Sequence, residues 1–109
     1  MLADANPAQF KKIYLALGRT DLRLGIDGLA ARIQYCFGQD PYEEGVLYIF
    51  RGRRSDRIKC LLYEGDGFLL LTKRLDEKKF RWPQRPQDLR SITPEQFIYL
   101  MQGLKVELP

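Results

Sequence analysis

At 109 residues, with 45% hydrophobic and 29% charged side chains, the chain has the length and composition of one globular domain with a modest core, and excludes both a disordered tail and two independent domains. It contains no histidine, which removes the commonest residue of nucleophilic triads, of zinc sites and of general bases working at neutral pH. The formal charge is +4, and all of the excess sits in the middle: residues 1–50 carry five basic and six acidic groups, residues 51–90 twelve and six, and residues 91–109 one and two.

The opening residues, 1–12, read as a loose lead-in to a single α+β domain over residues 13–109. They lack the apolar stretch of an export signal, and no run approaches the roughly 20 apolar residues of a membrane span, so the expected compartment is the cytoplasm. Ile13 to Leu17 is a short apolar run suited to a buried strand, closed by Gly18. In the polar connection that follows, the Thr20 or Asp21 side chain can accept a hydrogen bond from a local backbone amide.

From Ile26 the period becomes helical. Ile26, Leu29, Ala30, Ile33 and Phe37 fall at steps of three and four, Asp27 sits near the positive end of the dipole, and Gly38 supplies the stop. Cys36 in this helix and Cys60 further on could pair as a disulfide, but two buried, inert thiols are the better reading for a reducing compartment.

Two alternating stretches, Val46 to Arg51 and Arg57 to Tyr63, predict strands, and after Gly65-Asp66-Gly67 a third runs from Phe68 to Lys73, giving an antiparallel meander. Were Asp66 and Gly67 the central turn residues, Cys60 would face Lys73 and Lys59 would face Arg74. That register also sets Arg57, Lys59 and Arg74 on one face. The Lys78–Pro83 segment could add a short edge strand, limited by Pro83, and the chain from Pro83 to Ser91 reads as loop.

The final element is the most fully specified. Thr93 is the N-cap, Pro94 takes the first helical position, Gln96 completes a capping box, and Ile92 can staple against Phe97. Phe97, Leu100, Met101 and Leu104 form its apolar stripe over a helix expected at 94–103. The fold class predicted is α+β, an antiparallel meander sheet carrying two packed helices.

Five basic side chains, Arg51, Arg53, Arg54, Arg57 and Lys59, crowd the connection between the first two meander strands against a single acid, Asp56. Guanidinium groups in such a loop can pair with phosphate oxygens, which points to nucleic acid. Lys73, Arg74, Lys78, Lys79 and Arg81 could extend the patch, and the same charges also fit a solvated hairpin loop. Trp82, between Arg81 and Pro83, could stack on an unpaired base or simply fill the core. The carboxylates Asp21, Asp27, Asp56 and Asp66 show no spacing that would hold magnesium, and turn or helix-start roles account for three of them. No catalytic residue, metal site or cofactor is expected.

Three blocks, TDLRLGIDGLAARIQ from Thr20 to Gln34, LYIFRGRRSDRIKCLLYEGDGFLLLTKRL from Leu47 to Leu75, and KFRWP from Lys79 to Pro83, resemble the accessory protein encoded by the second reading frame of insertion sequence 66 elements. This is the TnpB-type accessory protein, unrelated to the RNA-guided nucleases that share the label. The resemblance runs from about Ile13 to Leu104. It departs at Leu22 and Leu24, where methionine and lysine are common, and near Tyr63, where a tryptophan is. It implies a non-enzymatic role in DNA transposition beside a larger transposase that carries the acidic catalytic residues. The implied partners are DNA, with element ends the expected sites, the transposase, and other accessory proteins of the same element. The alternative is a protein-interaction module that assembles with the transposase without touching DNA, through the Arg23 region, the sheet edge or Trp82.

Overall fold

The computed structural model describes residues 6–77, 79–83 and 89–106. After a single 3₁₀ turn at Pro7–Gln9, the elements are β1 (Lys12–Arg19), α1 (Ile26–Phe37), β2 (Val46–Arg51), β3 (Arg57–Tyr63), β4 (Phe68–Arg74), β5 (Leu89–Ile92) and α2 (Pro94–Met101). The five strands form one sheet in the order β4-β3-β2-β1-β5. The α+β class holds, but the sheet is mixed. β1 lies parallel to β2, while every other neighbouring pair is antiparallel.

The parallel pair has a physical cause in the sequence. Ile13, Leu15, Ala16 and Leu17 are all buried, so β1 needs cover on both faces, which is the environment of a central strand joined to its neighbour by a helical crossover. The helix supplying that crossover is α1. Its Leu29 and Ile33 pack on one face of the sheet with Ala16, Val46, Tyr48, Phe50 and Leu61. On the other face, α2 contributes Phe97, Leu100 and Met101 to a larger cluster with Leu15, Leu17, Leu47, Ile49, Ile58 and Cys60. Each fully buried aliphatic or aromatic side chain there stabilises the fold by about 1.5–3 kcal/mol.

Both helices stop by glycine. Gly38 takes φ 64° and its amide donates to the Ile33 carbonyl. At the end of α2 the amides of Gly103 and Leu104 donate to the Leu100 and Tyr99 carbonyls, with Gly103 at φ 75°. This closure ends the helix at Met101 rather than 103 and turns Leu104 outward, so that it is 49% exposed instead of completing the stripe. The capping box of Thr93 and Gln96 is present as expected, both of its hydrogen bonds being made.

The β3–β4 register differs from the expectation. Cys60 faces Leu71 and Lys59 faces Thr72, because the turn is centred on Gly65-Asp66, with Glu64 N–H donating to the Gly67 carbonyl at 2.8 Å. Gly65 takes φ 92°, the positive angle that a two-residue hairpin loop asks of its first central position and that aspartate adopts at a cost. The displacement is by two in pairing, so faces are conserved: Arg57, Lys59 and Arg74 still share one, and Arg57 faces Arg74 directly.

Three further expectations are corrected. Cys36 is exposed, since it falls off the buried stripe of α1; Cys60 is fully buried, its thiol pushed up to about 12 by desolvation, and both thiols are free. Residues 79–83 form no strand; Phe80 and Trp82 instead insert into the α2-side cluster, and Lys78 lies outside the described residues. The expected loop before Ser91 falls in part outside the described residues, over 84–88, and its end is β5, paired with β1 from Ile13↔Ile92 to Ala16↔Leu89. Asn6 caps the 3₁₀ turn within the expected lead-in, and Phe10 meets the Phe97 ring edge-on.

Candidate nucleic-acid interface

Because β1 and β2 run parallel, their carboxyl ends lie side by side. The loop after β1, Thr20 to Gly25, and the loop after β2, Gly52 to Asp56, therefore wall a common groove. It encloses about 630 Å³ and is lined by Arg19, Thr20, Asp21, Leu22, Arg23, Gly52, Arg53, Arg54 and Arg57. A crevice outside the carboxyl ends of parallel strands is where open sheets with helical crossovers characteristically place a ligand.

Local chemistry shapes both walls. Asp21 Oδ1 accepts from the Arg23 backbone amide at 3.0 Å and the Asp21 carbonyl accepts from Leu24 N–H at 3.1 Å, folding the first loop into a tight turn. The two loops touch at Gly52, where a Cβ would lie 2.8 Å from Leu22 Cγ and Cδ1. Only glycine permits so close an approach. The arginine loop is also fastened from behind, since Leu75 N–H donates to the Asp56 carbonyl at 2.8 Å and Phe80 N–H to the Ser55 carbonyl at 2.7 Å. Burial of the Phe80 and Trp82 side chains thus holds the segment that braces the loop.

The expected basic residues divide into two groups. Arg53, Arg54 and Arg57 line the groove; Arg53 and Arg54 are exposed and have no ion pair within 4.0 Å among the described residues. Arg57 Nε stands 3.7 Å from Asp56 Oδ1, beyond hydrogen-bond reach. Arg51 and Lys59 are turned to other work. Arg51 Nε donates to the Leu17 carbonyl at 2.9 Å, where the β1–β2 register breaks between Ala16 and Arg19, and its pKa is lowered by burial and by Arg19. Lys59 Nζ donates to the Leu24 carbonyl at 3.2 Å, steadying the first loop.

The remaining residues lie outside the groove. Lys73 faces Ile58 on the α2 side of the sheet, and Arg74 stands beside Arg57 with Nη2 4.0 Å from Asp76. Arg81 is exposed on the 79–83 segment, whereas Trp82 is only 7% exposed within the core. A second hollow of about 340 Å³ flanks the far side of the arginine loop; there Arg53, Arg54 and Lys79 meet as many acids, Asp56, Asp76 and Glu77. The loop is a ridge between a basic groove and a charge-balanced hollow. Lys79 faces the latter.

Arg19 is the groove residue that the sequence did not single out. It stands alone after Gly18, far in sequence from the arginine loop, and only the parallel pairing of β1 and β2 brings it there. Arg23 joins it from the loop that follows β1, its side chain 92% exposed and its Nη2 2.9 Å from Asp21 Oδ2. Among the described residues Asp21 is the one carboxylate lining the groove, and the Arg23 side-chain and backbone hydrogen bonds lower its pKa to about 2. The folded pKa is below the ordinary carboxylate value, so the contribution of this pair is complete above about pH 4 and fades as pH falls toward 2. Among the described residues the Arg19, Arg53 and Arg54 guanidinium groups have no ion pair within 4.0 Å and Arg57 meets Asp56 only at 3.7 Å, a concentration of positive charge that an entering anion would relieve.

Among the described residues, no three of the acidic or cysteine side chains gather as a metal site requires, and no helix is long and apolar enough to cross a membrane. The four aspartates weighed for magnesium are dispersed: Asp21 in its turn, Asp27 in the first turn of α1, Asp56 beside Arg57, and Asp66 in the β3–β4 hairpin. A family model described as IS66 Orf2 like protein matches residues 11–109. The chain is also similar to uncharacterized protein y4hO of Sinorhizobium fredii, 38% identical over 93 residues that span 85% of this chain and 80% of that protein. A second protein of the same organism, y4jC, is 35% identical over 99 residues, 91% of this chain and 84% of its own length. No solved structure matches.

Proposed function

This chain belongs to the family of IS66 Orf2-like proteins, and from that premise we propose that it is a non-enzymatic accessory factor that grips DNA during transposition of an insertion sequence. Membership supports the transposition role. The observation that supports DNA as the partner is the groove: Arg19, Arg53 and Arg54, which have no ion pair among the described residues, and Arg57, held only by a 3.7 Å contact to Asp56, converge at one end of the sheet on loops braced by backbone hydrogen bonds. Guanidinium groups so placed can each form paired hydrogen bonds to phosphate oxygens. Element ends are the DNA this role requires, and the transposase supplies the strand chemistry.

Fluorescence anisotropy of a labelled element-end duplex at several salt concentrations tests this reading. Four phosphate contacts predict a log–log salt slope of about −3 to −4, and the Arg53→Ala/Arg54→Ala double variant should flatten it by roughly 2. No binding at low salt would overturn the DNA reading, and magnesium-dependent nicking by the purified protein would overturn its non-enzymatic part.

A second reading, a module that joins the transposase without DNA, draws on an edge of the sheet. β4 is an edge strand of seven residues with Leu69 36% exposed, and an open edge can accept a strand from a partner. Co-purification with the transposase combined with absence of DNA binding would favour it.

A further inference from the structure

Arg23 differs from the other arginines of the groove in how its charge is held. Its Nε donates to Asp21 Oδ1 at 3.0 Å and its Nη2 to Asp21 Oδ2 at 2.9 Å, while the Arg23 backbone amide donates to the same Oδ1 at 3.0 Å. The carboxylate is anchored by the turn and the guanidinium is clamped to the carboxylate, so the plane and direction of an otherwise flexible side chain are set. That side chain is nevertheless 92% exposed.

Two consequences follow from the donor inventory of arginine. The pair consumes Nε–H and one hydrogen of Nη2, leaving the outer fork of Nη1 and Nη2, two parallel donors, free. It also cancels the local charge. A phosphate approaching that fork would bring its own charge toward Asp21, whereas the edge of a base is neutral and suffers no such repulsion. Among base edges in the major groove, guanine alone offers two adjacent acceptors, N7 and O6; adenine sets an amino donor beside its N7.

We propose that Arg23, held by Asp21, reads guanine in the major groove while Arg19, Arg53, Arg54 and Arg57 grip the backbone. This rests on the DNA reading above and adds what that reading leaves open, a residue that carries sequence preference. Phosphate contacts position a protein on the duplex, and base contacts specify where.

The test is selection from a random-sequence duplex library, run with the intact protein and three variants, Arg23→Ala, Arg23→Lys and Asp21→Asn, each checked by circular dichroism for native fold. The intact protein should enrich guanine at a fixed position by roughly tenfold or more, and 7-deazaguanine there should erase the preference. Arg23→Ala should lose the guanine, and Arg23→Lys, whose ammonium reaches N7 and O6 without the fork held by Asp21, should weaken it, both keeping the salt slope within about one contact. Asp21→Asn frees a charge, so it should steepen the slope by roughly 1 while weakening discrimination.

If the intact protein binds with a steep salt slope yet enriches no guanine, or if Arg23→Ala enriches the same guanine, the assignment of Arg23 is overturned and the backbone grip stands. If the intact protein retains no duplex even at low salt, both fall together. A pair that merely tied the loop would change thermal stability on mutation and leave base preference where it was.

Discussion

Five basic residues between Arg51 and Lys59 look alike in the sequence, and the fold gives them different work. Arg51 ends β2 and Lys59 is the third residue of β3, so pairing fixes where each side chain emerges and both reach backbone carbonyls, of Leu17 and Leu24. Arg53 and Arg54 belong to the loop itself and stay open to solvent. Arg51→Ala should therefore reduce stability by about 1–2 kcal/mol in urea unfolding, because the Leu17 carbonyl loses its partner, with the DNA salt slope unchanged. Arg53→Ala should do the reverse, flattening the slope by about 0.9 at unchanged stability. The basic cluster was legible as a charge excess, but its division into holders and contacts was not, since that depends on which residues end strands.

At the scale of elements, local signals carried far. The α1 boundaries follow from apolar steps of three and four closed by glycine, and the α2 start from its capping box, because each depends on residues within one or two turns of one another. The β3–β4 turn was legible as a turn but not in register, since Gly65-Asp66-Gly67 offers two centres and the choice falls to the glycine at φ 92°. A side chain at Gly65 would have to adopt that strained angle, while the Glu44 carboxylate, the end of a flexible side chain, would swing aside from the new Cβ. Gly65→Ala should cost about 1–3 kcal/mol of unfolding free energy and leave DNA affinity per folded molecule unchanged. Gly52→Ala should instead part the two loops at Leu22, weakening DNA binding more than it lowers the melting temperature. An equal loss of both would count against Gly52 as the point where the groove walls meet.

At the scale of the molecule, what the sequence left hidden is long-range. Nothing near Ile13–Leu17 announces that it will run parallel to Val46–Arg51, and the short strand Leu89–Ile92 has no periodicity of its own to mark it as the partner of β1. Yet that pairing decides the site, because it sets the loop after β1 beside the loop after β2 and so joins Arg19 and Arg23 to the arginine cluster. The α+β class and the meander were legible; the groove was half legible, as one wall without the other. Trp82 illustrates the converse, an aromatic whose basic neighbours suggest a surface role while the packing of its ring places it in the core. If the groove is where DNA binds, position must matter more than total charge. Arg54, in the groove, and Lys12, at the opposite end of β1, allow a direct comparison, since Arg54→Glu and Lys12→Glu change net charge equally. Measured by anisotropy on one duplex at one low salt concentration, Arg54→Glu should weaken binding by about tenfold or more and Lys12→Glu by less than about threefold; equal losses would mean that the duplex senses only overall charge and that the groove is not its site.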